Sequence, residues 1–329
     1  MFSKNERGFA LILTILIISL IVALTLQFNT TMRSDLQSAA TLKDGVSLTS
    51  VARSGFAFAS AVLLEDASET AFDSLNEAWA DPELLSSSFS SLFDDVSLDL
   101  RIVDHLGRIN INRLIDENGE FDAEQKNLMT RLLSLEQFSL DSEEVSNIID
   151  AIKDWIDTDD EVTRFGAENA YYGALEQPYS CKNGDLDFPE ELLFVRGITS
   201  ELFYGTREKS GISRYLTTYG QGKININTAD PIVLGCLSDQ IDQEMVDNMV
   251  EYRTDEKNDL EDVKWYNKIP GMSDITIDPG LVTTSSTNFE IKSEGVKEAM
   301  RKRITAMIER KDGTFHVLSW KTVLSWKTE

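Results

Sequence analysis

Histidine and cysteine are nearly missing from this chain: 329 residues hold only His105, His316, Cys181 and Cys236. Transition-metal sites draw on imidazole and thiolate ligands, so that class of site has almost no material. Neither histidine sits in a Gly-x-Ser-x-Gly or His-Glu-x-x-His setting, and no nucleophile–base arrangement can be assembled. An enzyme is therefore not expected. His105 lies beside an expected turn and reads as a surface residue. Cys181 and Cys236 either pair in an oxidising compartment or remain two buried thiols. Basic residues are also few, 31 Lys and Arg against 56 Asp and Glu, for a formal net charge of -25. So acidic a surface repels phosphate backbones, and nucleic acid is not an expected partner. The excess fits either a solvated surface or sites for divalent cations.

Charge of either sign is absent from residues 9–28, FALILTILIISLIVALTLQF. As a helix these residues span roughly 30 Å, the thickness of a bilayer core. Lys4 and Arg7 precede the run, which keeps residues 1–8 cytoplasmic and exports everything after Phe28. No small-x-small cleavage site follows, because Ala23 leads into Leu24, Thr25, Leu26 and Gln27. The glycine stands before the run instead. From Gly8 onward the segment resembles a type IV prepilin signal, cut after Gly8 so that Phe9 becomes the first residue and the helix is retained. The alternative is a plain signal anchor.

Beyond the span, neither proline nor glycine interrupts the chain until Gly45. Met32, Leu36, Ala39, Val46, Val51, Ala52, Phe56 and Ala59 recur at helical spacing, which predicts one long helix whose second half packs on a globular domain. Residues 96–112 alternate apolar and polar, predicting two strands that meet at a turn over residues 105–107. Residues 113–216 change to helical periodicity, with Asp141 and Glu144 spaced as a capping box. An echo brackets this stretch: Gly107-Arg108-Ile109-Asn110-Ile111-Asn112 and Gly222-Lys223-Ile224-Asn225-Ile226-Asn227. The echo suggests a helical insertion into one sheet domain. Three further strands are expected at residues 288–292, 302–309 and 314–323, the last two joined at Asp312-Gly313.

The densest acidic run is Asp154-Trp155-Ile156-Asp157-Thr158-Asp159-Asp160-Glu161, with Glu168 beyond it. Counted from Asp157, carboxylates fall at positions one, three, five and twelve, as in a twelve-residue EF-hand loop. Position six, glycine in that loop, is Val162. This is not an EF-hand, but a calcium loop of another geometry is consistent with it, as is a solvated acidic loop. A second oxygen-rich run follows at Asn183, Asp185 and Asp187.

Together with the prepilin-like start, the Ile-Asn-Ile-Asn copies, Asp154-Trp155-x-Asp157-x-Asp159, Gly166-Ala167-Glu168 and Glu190-Glu191-Leu192 make the chain resemble the type II secretion system protein K family. The resemblance implies an α+β fold: a pilin-like long N-terminal helix packed on an antiparallel sheet, with a large inserted α-helical domain. It divides the chain into a leader (1–8), a transmembrane helix (9–28), a pilin-like first part (29–112), an insertion (113–218) and a pilin-like second part (219–329). It implies calcium bound by Asp157, Asp159 and Glu168, with Asp154, Asp185 and Asp187 as secondary ligands. It further implies removal of the leader by a prepilin peptidase, methylation of the new N-terminus, and a single-pass place in the bacterial inner membrane with the C-terminal bulk in the periplasm. The partners implied are minor pseudopilins I and J and other pseudopilus subunits, and the role is to cap the pseudopilus tip and help initiate its assembly for export across the outer membrane. Ordinary pilins carry Glu at the fifth mature position, which here is Leu13. An unpaired carboxylate in hydrocarbon is costly, so the absence suits a subunit with no neighbour above it. A rival resemblance, to a helix-hairpin-helix DNA-binding module, rests on Ile224–Ala229 and Ile269-Pro270-Gly271. Met272-Ser273-Asp274 and the surrounding acids oppose it.

Overall fold

The computed structural model describes residues 6–87 and 95–326. Helix α1, Glu6–Glu69, is one unbroken element of 64 residues. Of the expected leader, residues 1–5 lie outside the described residues. The apolar stretch through Phe28 is fully exposed, which makes it a candidate membrane anchor. Within it Thr14 and Thr25 donate to the carbonyls of Ala10 and Ile21, as Thr30 just beyond it does to that of Leu26. Such pairing is what a helix in hydrocarbon requires of its polar groups. From Leu48 onward α1 buries one face.

Helix α2 covers Pro82–Ser87, and strand β1, Ser97–Asp104, follows. Strands β2, Ile109–Asn110, β3, Leu216–Thr217, β4, Ile224–Asn225, and β5, Val282–Thr283, are two-residue pieces. The long tail strands are β6, Asn288–Lys297, β7, Met300–Lys311, and β8, Thr314–Trp326. The main sheet is antiparallel in the order β1-β6-β7-β8. Leu98, Leu100, Ile102, Phe289, Ile291 and Ile308 face Val51, Ala59 and Leu63 of α1 in one core. This is the α+β arrangement expected: a long N-terminal helix on an antiparallel sheet. The β7–β8 turn has φ 53° at Asp312 and 68° at Gly313, two left-handed residues as in a type I′ hairpin. Strand β8 carries Val-Leu-Ser-Trp-Lys-Thr at 317–322, repeated at 323–328 in the sequence. Six is even, so Trp320 and Trp326 share one face.

Residues 96–112 do not form the expected pair of meeting strands. β1 pairs with β6 in the register Ser97↔Val296 to Asp104↔Phe289, and the chain then leaves the sheet. β2 instead pairs in parallel with β3, and β4 in parallel with β5. Alternation signals a half-buried strand but not its partner, and Ile109 and Ile111 go to a second core. The expected return to the sheet at residue 219 is also corrected. The two Ile-Asn-Ile-Asn copies are structural equivalents, and each opens a helical unit. Asn110 Oδ1 accepts from the Asn112 N–H, and Asn225 Oδ1 from the Asn227 N–H, both at 3.0 Å. After the first copy come α3, Ala123–Leu133, α4, Ser142–Ile156, α5, Asn169–Tyr172, and α6, Ser200–Tyr204. After the second come α7, Pro231–Cys236, and α8, Gln243–Thr254. Leu128, Ile149 and Trp155 share one core with Val233, Met249 and Trp265. The insertion is therefore residues 105–287, leaving after β1 and returning at β6.

Candidate metal centre

Helix α4 positions the candidate site. The Asp141–Glu144 capping box fixes its start, and Ile148, Ile149, Ile152 and Ile156 bury one face. It ends at Asp157, where acidic side chains oppose the negative end of the helix dipole. That placement is unfavourable unless cations compensate. Lys153 supplies one, donating from Nζ to Asp157 Oδ2 at 2.6 Å in a buried pair. The chain then loops back across the helix end. The Thr163 N–H donates to both Asp154 oxygens, at 3.0 and 3.2 Å. Gly166 lies against the Asp154 carboxylate so closely that a Cβ there would collide with it. The loop arrives at Glu168, which precedes α5.

This return brings ligand atoms of Asp157, Asp159 and Glu168 within 4.8 Å of one another. Asp157 and Glu168 are 1% and 2% exposed, and Asp159 faces solvent. Asp157 Oδ1 and both Glu168 oxygens are buried without a hydrogen-bond partner among the described residues. Buried carboxylate oxygens left unpaired are costly, and three carboxylates in such proximity raise one another's proton affinity. Burial, then the charges of Asp154 and Asp157, push the Glu168 carboxyl up to about 7. Burial also raises Asp154 and Asp157. Unpaired hard oxygens converging from one loop, with no imidazole, suit an oxygen-loving divalent ion such as calcium. The Cys181 thiol is adjacent, donating to the Asp154 carbonyl at 3.3 Å, and burial pushes it up to about 12. The three groups that converge are all carboxylates.

The secondary candidates separate. Asp154 is fully buried but spends its oxygens on Thr163. Asp187 is exposed and accepts from Lys182 Nζ at 2.7 Å, outside the group of three. Asp185, also exposed, lines a neighbouring cleft with Asp157. Asn183 buttresses the loop instead, its Nδ2 donating to the Asp159 carbonyl at 2.7 Å. Gly8 and Phe9 lie in the exposed first turns of α1. Cys181 and Cys236 are free, buried thiols, which corrects the pairing alternative. Cys181 sits under Asp154, whereas Cys236 ends α7, with its carbonyl accepting from Arg131.

His105 is buried rather than on the surface, at 7% exposure. Its Nδ1 lies 3.0 Å from Thr217 Oγ1 and its Nε2 3.9 Å from Glu290, so it joins insertion to sheet. Burial lowers its proton affinity. Glu290, although burial works against it, is held down at about 2 by His105 and Lys292. A second acidic group escaped sequence reasoning altogether. Asp66, Asp73 and Glu77 also converge within 4.8 Å, but the Arg310 guanidinium bonds Asp66 and Asp73 there. Arg310 is more than two hundred residues away in sequence, and no local signal links it to them. Next to this group, Asp104 accepts from Asn225 Nδ2, Thr228 Oγ1, Ser286 Oγ and the Leu106 N–H. The second Ile-Asn-Ile-Asn copy is thus consumed internally; Asn227 Oδ1 also accepts from Trp265 Nε1 at 2.7 Å.

Comparison with known proteins follows the same outline. Residues 107–207 match the family model described as type II secretion system (T2SS), protein K. The type II secretion system protein K of Aeromonas hydrophila is 27% identical over 238 residues, 69% of each chain. In fold, the chain is similar to one in the crystal structure of the GspK-GspI-GspJ complex from the type 2 secretion system of enterotoxigenic Escherichia coli. That match has a TM-score of 0.69 at 18% identity and covers 87% of this chain and 99% of the other. The resemblance to protein K read from the motifs holds within the insertion and, as fold, along most of the chain.

Proposed function

We propose that this protein, similar in sequence and fold to type II secretion system protein K, is a minor pseudopilin that caps the tip of the pseudopilus and helps initiate its assembly. The observation that carries this reading is the bulk of a helical insertion, residues 105–287, that leaves the sheet after β1 and returns at β6. A subunit with that bulk collides with its neighbours if repeated along a fibre, and fits where the fibre ends. Leu13, in place of a carboxylate that would need a partner amine, supports the same position. In this reading the leader is removed after Gly8 and the new terminus at Phe9 is methylated. The span 9–28 holds the subunit in the inner membrane, with the remainder in the periplasm. The partners are minor pseudopilins I and J, by analogy with the composition of the similar complex.

Calcium is the second part of the proposal. Asp157, Asp159 and Glu168 would hold it, neutralising the unpaired oxygens of a loop that has little core of its own. Bound only to the folded state, the ion stabilises the insertion by mass action. The rival DNA-binding reading has no support from the second Ile-Asn-Ile-Asn copy, whose Asn225 and Asn227 side chains are spent on partners within the chain.

Native mass spectrometry of the full-length chain co-expressed with minor pseudopilins I and J tests the assembly. One copy of each in a single complex is expected. Failure to associate with either sinks the assignment.

A further inference from the structure

Strand β8 ends the main sheet. The order β1-β6-β7-β8 gives it β7 on one side and, among the described residues, no strand on the other. Alternate N–H and C=O groups along such an edge point outward, free to pair with an extended chain. Neither proline nor glycine interrupts residues 314–326. A bulge falls at Leu318, where the register with β7 passes from Met307↔Ser319 to Ile308↔Val317. A bulge bends the strand and ends regular pairing, so the usable edge is residues 319–326.

Beside this edge lies a cleft of about 810 Å³ between the sheet and the insertion. Ser319, Lys321 and Val323, at alternate positions of β8, line it on the sheet side. On the insertion side stand Phe188 and Phe194, 53% and 54% exposed. The turn that carries Phe188 is held in place, because the Glu191 carboxylate accepts from the N–H groups of Asp187 and Phe188 at 2.8 and 3.1 Å. Large apolar side chains kept exposed on a fixed wall point to a surface that meets a partner.

Charge selects the occupant. Within the cleft Lys292 pairs with Glu290, Arg303 with Glu294 and Glu191 with Lys182. Arg108, Lys321 and Glu190 form no ion pair among the described residues, which leaves two cations against one carboxylate in a chain of net charge -25. A lysine on an edge strand deters a like edge, whereas opposite a carboxylate the same charge favours pairing. Direction argues against a second copy. Helix α1 runs along the strands, with Asp44 bonded to Lys297 at one end of the sheet and Leu63 to Arg310 at the other. A copy paired antiparallel through β8 carries its α1 inverted, with its apolar span pointing away from the bilayer that holds the first.

We propose that the edge of β8 receives an extended segment of another polypeptide, paired antiparallel to residues 319–326, with apolar side chains toward Phe188 and Phe194 and a carboxylate beside Lys321. The proposal does not depend on the assembly reading above. The probe is a fluorescent peptide with blocked ends, Thr-Ile-Thr-Val-Thr-Glu-Thr-Val, whose Glu falls opposite Lys321. It is titrated by anisotropy against the full-length chain in lipid nanodiscs. Saturable binding is expected, with amide hydrogen exchange slowed at residues 319–326. A probe with Lys in place of Glu is expected to bind about tenfold more weakly, and Lys321→Glu to reverse that preference. Lys311→Glu, outside the cleft lining, is expected to bind as the wild type does. Failure of the probe to bind overturns the proposal, as does equal binding of the Glu and Lys probes. Undiminished binding when the central Val-Thr of the probe is replaced by Pro-Pro overturns strand pairing, and the proposal with it. Self-association of the chain that the probe displaces makes a second copy the occupant and overturns the proposal as stated. Each of these outcomes leaves the assembly with minor pseudopilins I and J to its own test.

Discussion

Glu168 is 2% exposed, faces two other carboxylates and has no hydrogen-bond partner for either oxygen among the described residues. If a divalent ion completes this loop, Glu168→Gln has opposite effects in its absence and presence. Without calcium the variant relieves repulsion and melts at or above the wild type; with calcium it loses most of the rise the wild type gains. Scanning fluorimetry in chelator and in saturating calcium measures both, and a wild type indifferent to calcium removes the metal from the account. Asp104 poses a separate question of pH. Burial, opposed by Ser286 and Thr228, raises its carboxyl to about 6. A folded-state value above the unfolded one means the folded protein binds the proton more tightly, so this group's penalty grows as pH rises from about 4 through 6. Asp104→Asn, which never ionises, should therefore gain stability relative to the wild type as pH goes from 5 to 8, whatever its offset. Denaturant unfolding at both pH values, in saturating calcium, reads the change; an offset independent of pH contradicts it.

At the scale of elements, glycine positions separate packing from propensity. Gly55 lets α1 approach the sheet so closely that a Cβ would collide with Ser293 Oγ and press on Leu98. Gly55→Ala is expected to cost about 1–3 kcal/mol by overpacking. Gly45→Ala, in open space, should gain up to about 1 kcal/mol in helix stability. Denaturant melts of the two variants decide, and equal effects would mean α1 does not seat on the sheet as described. Much at this scale was legible in the sequence. The Asp141 capping box, the Asp312-Gly313 hairpin and the unbroken α1 are written in local patterns. So was the convergence of Asp157, Asp159 and Glu168, because the three carboxylates lie within twelve residues of one loop. What local pattern could not carry was partnership. Alternation over 96–112 was correct for β1 but silent on β6 as its neighbour. The Ile-Asn-Ile-Asn echo was visible, yet nothing in six residues distinguishes a return to the sheet from the start of a second helical unit. The Arg310 cluster joins segments that only the fold brings together.

The whole molecule has two cores: the sheet seated on α1, and the insertion of residues 105–287 joined to it between β1 and β6. Buried polar groups tie them, with Arg310 and Ser286 on Asp73, and His105 between Thr217 and Glu290. These contacts join the insertion to the helix–sheet unit through buried side chains. The proposed place of the subunit is open to direct observation. Pseudopili can be assembled from full-length subunits and labelled with gold-conjugated antibody against the insertion, then viewed by electron microscopy. Label at one end of each fibre is expected, and label distributed along the fibres, or none on them, contradicts a tip subunit.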